Sequence, residues 1–250
     1  MQTPITPPAR TPLLLVIAFA LISLFLSDLP GLSLIFVPVQ YFTTALHEIG
    51  HALACNATGG SVTGMTIVSD GQGHGGLTYC LGGQSLIFGQ TGYLGTTLFG
   101  CLMLWLSSYQ SATRPLLVFL AVLIGFAALV YMTPALAMAQ HSGQALSSIL
   151  VGGALCAALL LTARFASLPV ASLVVLFLAV QTALNALSDI GVLIQLTLGI
   201  YGVASFSDAT NMASETHIPA VIWSLGWGIT SVFLLFITLR LVYGKAQRAG

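Results

Sequence analysis

The stretch LSLIFVPVQYFTTALHEIGHALAC, residues 32–55, decides how the rest of this chain is read. It is apolar over most of its length and exceeds the roughly 20 residues that a helix needs to cross a bilayer. Near its end stands His47-Glu48-Ile49-Gly50-His51. On a helix, positions i and i+4 share a face, so both imidazoles can reach one metal ion. Glu48 sits one residue along, close enough to take a proton from a metal-activated water. Zinc would supply that activation by lowering the pKa of the water and polarising a scissile carbonyl. The chain has only two glutamates, and one of them lies here in an apolar segment. A charge at the centre of a membrane helix costs about 2.5–3.5 kcal/mol on insertion scales, so such a residue points to function.

The composition outside this stretch agrees with a membrane setting. Hydrophobic residues make up 57% of the 250-residue chain and charged residues 5%. Soluble domains carry about 25% charged residues, because their surface must face water. The expectation is therefore an all-α polytopic membrane protein in contact with the lipid bilayer, multi-pass, and in the plasma membrane if the source is bacterial. The formal net charge is zero, which offers nucleic acid no basic surface. Cys55, Cys80, Cys101 and Cys156 lie in or beside apolar segments without paired spacing, and they read as small hydrophobes with no disulfide framework.

Along the chain, residues 1–11 are rich in Pro and Thr and read as a disordered tail. The apolar run 12–27 follows Arg10 and resembles a signal peptide, but its end is a poor cleavage site, so an uncleaved helix is expected. After the second helix the pattern breaks. Residues 61–69 and 77–81 alternate and are rich in Val, Thr, Ile and Tyr, with a Gly-rich connection, which predicts a β-hairpin over residues 61–81. Apolar runs resume at 92–107, 116–138, 145–163, 169–200 and 219–243. The count is about seven transmembrane helices, with six or eight as alternatives. Together residues 12–243 form one membrane-embedded domain, followed by a tail at 244–250. The run 169–200 is too long for one upright helix across about 30 Å and must tilt, break or emerge into a cavity. Arg114, Arg164, Arg240, Lys245 and Arg248 then share one side, opposed by Arg10 alone. That bias predicts a cytoplasmic C-terminus and a hairpin on the outside.

A catalytic zinc site normally has three protein ligands and one open position. The candidates for the third are Asp189, Asp208, Glu215, His217, His74, His141 and Asp70. Asp189 leads, because it lies inside an apolar run and a buried Asp needs a partner. Asn185, one turn earlier on the same face, would support it as a hydrogen-bonding neighbour. Asp208 follows Ser207 in the polar stretch 201–218, where a Ser-Asp pair commonly caps a helix. His217 reads as interfacial capping, Glu215 as solvated, and His74 and His141 as loop residues.

Taken together, the motifs resemble the site-2-protease-like zinc membrane peptidases, and more closely their divergent peptidase B-like branch. HEIGH at 47–51 is followed by Gly59-Gly60, Gly75-Gly76-Leu77-Thr78, Gly92-Tyr93-Leu94-Gly95 and Leu98-Phe99-Gly100. Asn185-Ala186-Leu187-Ser188-Asp189-Ile190, Ser207-Asp208-Ala209 and a last helix with Ile222-Trp223 close the series. The resemblance implies a zinc held by two histidines and an aspartate from a later helix, and a membrane-level hairpin that presents substrate. It implies a zinc endopeptidase acting on a membrane protein or peptide. The alternatives are a non-proteolytic protein that binds or transports metal, and a zinc hydrolase acting on lipid. A transporter would step further His or acidic residues across several helices, and here such residues are few.

Overall fold

The computed structural model describes residues 13–26, 33–68, 75–138, 142–200 and 207–244. The expectations for residues 1–11, Arg10, Asp70, His74, His141, Lys245 and Arg248 lie outside these. Two helices, α1 (Leu13–Leu26) and α2 (Ser33–Ala57), precede an antiparallel hairpin of β1 (Ser61–Thr66) and β2 (Leu77–Leu81). Then follow α3 (Ser85–Ser107), α4 (Gln110–Ala127), α5 (Ser142–Phe165), α6 (Leu168–Thr197), α7 (Asp208–Thr216) and α8 (Ala220–Tyr243). A π-helical turn at Ala128–Met132 and a 3-10 turn at Pro134–Ala137 extend α4.

Four helices are long and apolar enough to cross a membrane among the described residues: Gln110–Ala137, Ser142–Phe165, Leu168–Thr197 and Ala220–Tyr243. The expected count of seven is thus met only in part by length and composition. The apolar helix α1 spans 14 residues, short of the roughly 20 that cross upright. Helices α2 and α3 are long enough, at 25 and 23 residues, but polar groups dilute them. These are His47, Glu48 and His51 on α2, and a series of Gly and Thr residues on α3. The long helices outside this set of four are thus α2, which carries His47-Glu48-Ile49-Gly50-His51, and α3, which packs against it.

Helix α3 lies between α2, α6 and α8. Its glycines explain the close approach, because lipid tails give helices no hydrophobic reason to associate and tight van der Waals contact must do so instead. A Cβ on Gly50 of α2 would fall 2.3 Å from the Thr91 carbonyl oxygen on α3. A Cβ on Gly100 would press on the backbone of Ala183 in α6. Hydroxyl pairs add polar ties between helices: Thr97 with Ser231 at 2.8 Å and Thr113 with Ser172 at 3.1 Å. Phe42, Leu46, Ile49, Leu117, Leu120, Ile124 and Leu176 fill the interior. Large apolar side chains such as Phe119, Val122, Leu150, Leu161, Val232 and Phe236 point outward, as a lipid-facing surface requires.

The long run resolves without a break. Helix α6 holds 30 residues, about 45 Å at 1.5 Å per residue, so its C-terminal end runs past an upright span. Asp189, Val192, Leu193 and Leu196 of that end line a cavity.

Cys55 and Cys80 form a disulfide, with their Cα atoms 5.9 Å apart, which corrects the expectation of four unpaired cysteines. The spacing of 25 residues carried no signal, because the pairing depends on β2 folding back along α2. Cys101 and Cys156 remain free.

Candidate metal centre

Helix α2 places His47 and His51 one turn apart, and their Nε2 atoms stand 3.1 Å from each other. The His51 Nδ1–H donates to the Phe88 carbonyl of α3 across 2.7 Å. A carbonyl can only accept, so the neutral His51 ring keeps its Nε2 lone pair free for a metal. Phe88 also stacks on the His51 ring, and Tyr93 packs edge-on against His47, with centroids 4.6 and 4.7 Å apart.

The third group comes from α7. Asp208 Oδ2 lies 3.4 Å from His47 Nε2 and 3.2 Å from His51 Nε2. Ser207 caps this helix, accepting from the Thr210 amide at 3.2 Å while its own amide donates to Thr210 Oγ1 at 2.8 Å. The Ser-Asp pair is indeed a helix start, with Asp208 as the first helical residue, aimed at the histidines. Burial alone would raise its carboxyl, but the adjacent His51, with His47, holds it well below the usual carboxylate range.

The donor atoms of His47, His51 and Asp208 all lie within 4.8 Å of one another, a grouping that could hold a metal ion. The surroundings fit that use. A Cβ on Gly92 would fall 2.3 Å from His47 Nε2 and 2.4 Å from His51 Nε2, so only glycine leaves the donors clear. Two imidazoles and one carboxylate are the donor chemistry of a catalytic zinc site with an open position.

The two aspartates weighed as third ligand are placed differently. Asp189 lines the same cavity but does not join the cluster; Asp208, the alternative, does. Asn185, expected to support Asp189, donates its Nδ2–H to Thr43 Oγ1 across 2.8 Å and ties α6 to α2. Glu215 accepts from Ser85 Oγ at 2.5 Å, and His217 ends α7 in a left-handed conformation at φ 60°.

The sequence model of the Peptidase M50B-like family matches residues 13–238, spanning helices α1 to α8 and every residue of this cluster. The chain belongs to that family. No curated protein and no solved structure matches it. Family membership points to a membrane metallopeptidase, in a protein whose apolar helices place it in a membrane.

In this M50B-like chain Glu48 points beside the cluster, buried at 5% exposure. Thr78 of β2 donates its hydroxyl to Glu48 Oε2 at 2.6 Å. Gly76, just before the same strand, has no room for a side chain: a Cβ would fall 2.9 Å from Glu48 Oε1 and 2.7 Å from the Thr66 carbonyl. The cavity in front of these groups holds about 390 Å³ and is lined by His47, Glu48, His51, Gly76, Thr78 and Asp208, among others. Thr78, Gly92, Tyr93 and Phe88 were not singled out from the sequence as site residues. Gly92 and Tyr93 had a signal in Gly92-Tyr93-Leu94-Gly95 and Thr78 in Gly75-Gly76-Leu77-Thr78, whereas Phe88, which acts through its backbone carbonyl and ring, had none.

Proposed function

We propose that this M50B-like protein is a membrane-embedded zinc endopeptidase that hydrolyses peptide bonds in or near the bilayer. One observation carries the reading: three metal-binding side chains converge in a cavity with a carboxylate, Glu48, held beside them. His47, His51 and Asp208 would hold the ion. When bound, zinc supplies a Lewis acid that activates water and polarises the carbonyl under attack.

The residues of the chain do the rest. Glu48 accepts a proton from the attacking water and later passes it to the departing amine nitrogen, base then acid. The Thr78 hydroxyl holds Oε2 and leaves Oε1 for that exchange. Phe88 fixes the His51 tautomer, so a donor nitrogen and not an N–H meets the ion. Strand β2 pairs with β1 on one edge and has no strand partner on the other among the described residues. An extended peptide adding to that edge would lie along Gly76, Leu77 and Thr78 at the cavity wall. The substrate is accordingly a membrane protein or peptide, and in a bacterium the site of action is the plasma membrane.

Purified wild type and Glu48→Gln are the test. Glu48→Gln should keep its zinc and lose at least about 100-fold in cleavage of a transmembrane-helix peptide, the lower range for removing a general base. Wild-type turnover in that variant would overturn the assignment.

A further inference from the structure

The helix ends sort the charges of this protein into two groups. The Arg114 guanidinium, at the start of α4, donates to the carbonyls of Ala163 and Ala166 at 2.5 and 3.1 Å. This sets the start of α4 beside the end of α5, where Arg164 lies. Thr113 bonds Ser172, so α6 also starts at this end. Thr197 at the far end of α6 meets Ser224 near the start of α8, at 3.1 Å, so α8 runs back and brings Arg240 to the Arg114 end. Every described Lys or Arg, namely Arg114, Arg164 and Arg240, is therefore at one end of the bundle.

The metal cluster occupies the opposite end. Asn56, at the end of α2, donates to the Tyr131 hydroxyl beyond α4 at 2.7 Å, and the Ile67 amide donates to Ser148 near the start of α5 at 2.8 Å. Helix α7 with Asp208 lies between the end of α6 and the start of α8. Cationic residues at the ends of membrane helices stay on the cytoplasmic side. The Cys55–Cys80 disulfide gives a second, independent sign, because it joins α2 to β2 at the end that carries the site. Disulfides form and persist in oxidising compartments and are rare where glutathione and thioredoxin keep thiols reduced.

We propose that the metal site opens on the oxidising, non-cytoplasmic face of its membrane, so that it takes peptide segments exposed on that face. The nature of the substrate rests on the peptidase reading above; the sidedness of the site does not. Helix polarity, cation placement and the disulfide agree on it without reference to the chemistry. A cytosolic loop or tail would then be out of reach, and a membrane protein's lumenal or periplasmic flank would be in reach.

The test reads thiols in spheroplasts of a bacterial host carrying the full chain in its inner membrane. In a Cys101→Ala/Cys156→Ala background, Cys55 and Cys80 are the remaining cysteines. A bulky, membrane-impermeant maleimide should not shift this protein until an impermeant phosphine reductant is added, and should then shift it by both cysteines without permeabilisation. A second reporter leaves the disulfide intact. Gln84→Cys, in the exposed turn between β2 and α3, should label from outside, and Ser111→Cys, beside Arg114, should label only after permeabilisation. Free Cys55 and Cys80 in this host, or labelling of Gln84→Cys only after permeabilisation, would overturn the proposal. None of these readouts needs zinc or turnover, so failure of the topology is distinct from failure of the peptidase reading.

Discussion

Thr78 Oγ1 donates to Glu48 Oε2 across 2.6 Å, and two residues along the same strand Cys80 is bonded to Cys55. Positions i and i+2 share one face of a strand, and positions i and i+7 share one face of a helix. Thr78 and Cys80 thus lie along the α2 face that presents Glu48 and Cys55. The hairpin is fastened to the helix covalently at one point and by the carboxylate at the other.

This arrangement makes Thr78 a positioning residue for Glu48. Thr78→Val keeps the shape and removes the hydroxyl, and is expected to lower kcat by about 10–100-fold, as loss of a group that orients a reactive one does. Thr78→Ser restores the donor and should recover most of the rate. Zinc per protein should equal wild type in both. Equal rates for Val and Ser would show that the contact contributes nothing to orientation.

The cluster geometry separates the two aspartates. Asp208→Ala should purify with little zinc after dialysis, because two histidines alone leave the ion under-coordinated. Asp189→Ala should keep its zinc, since its carboxylate lines the cavity outside the cluster. Elemental analysis of both variants checks this, and a zinc-free Asp189→Ala beside a zinc-loaded Asp208→Ala would reverse the roles.

Gly92 and Gly95 lie on the same helix and respond differently to a methyl group. Gly92→Ala sets a Cβ on both imidazole donors, at 2.3 and 2.4 Å, whereas a Cβ on Gly95 meets the Gly50 Cα at an ordinary 3.5 Å. Overpacking of this kind typically costs about 1–3 kcal/mol. Zinc content should collapse in Gly92→Ala and stay near wild type in Gly95→Ala. Full metal loading of Gly92→Ala would mean that the rings move aside freely.

The start of α7 offers a subtler handle. Ser207→Ala removes the side chain that accepts the Thr210 amide, a loss worth about 1 kcal/mol at a helix N-terminus. Asp208 is the next residue, so its aim at the histidines should loosen with the cap. Zinc titration of the apo-protein should show affinity weakened about 5- to 10-fold, following that free energy. Unchanged affinity would show that the cluster alone fixes Asp208.

Local physics made much of this protein legible from its sequence. A charged fraction of 5% demands lipid around the helices, and HEIGH on a helix sets two imidazoles on one face whatever surrounds it. The alternation in 61–69 and 77–81 gave the hairpin, because period two is a property of the strand itself. Matters of distance along the chain were decided only by tertiary structure. Local context favoured Asp189, inside an apolar run, over Asp208 in a polar stretch, but it carries no information on which carboxylate meets the histidines. Helix α7 folding back against α3 brings Asp208 to the histidines. The same holds for Cys55 with Cys80 and for Thr78 with Glu48, contacts that exist because the hairpin lies along α2. Helix period and hydropathy act within a few residues, whereas a metal site and a disulfide require atoms from separate elements to meet within a few ångströms, which only packing can arrange.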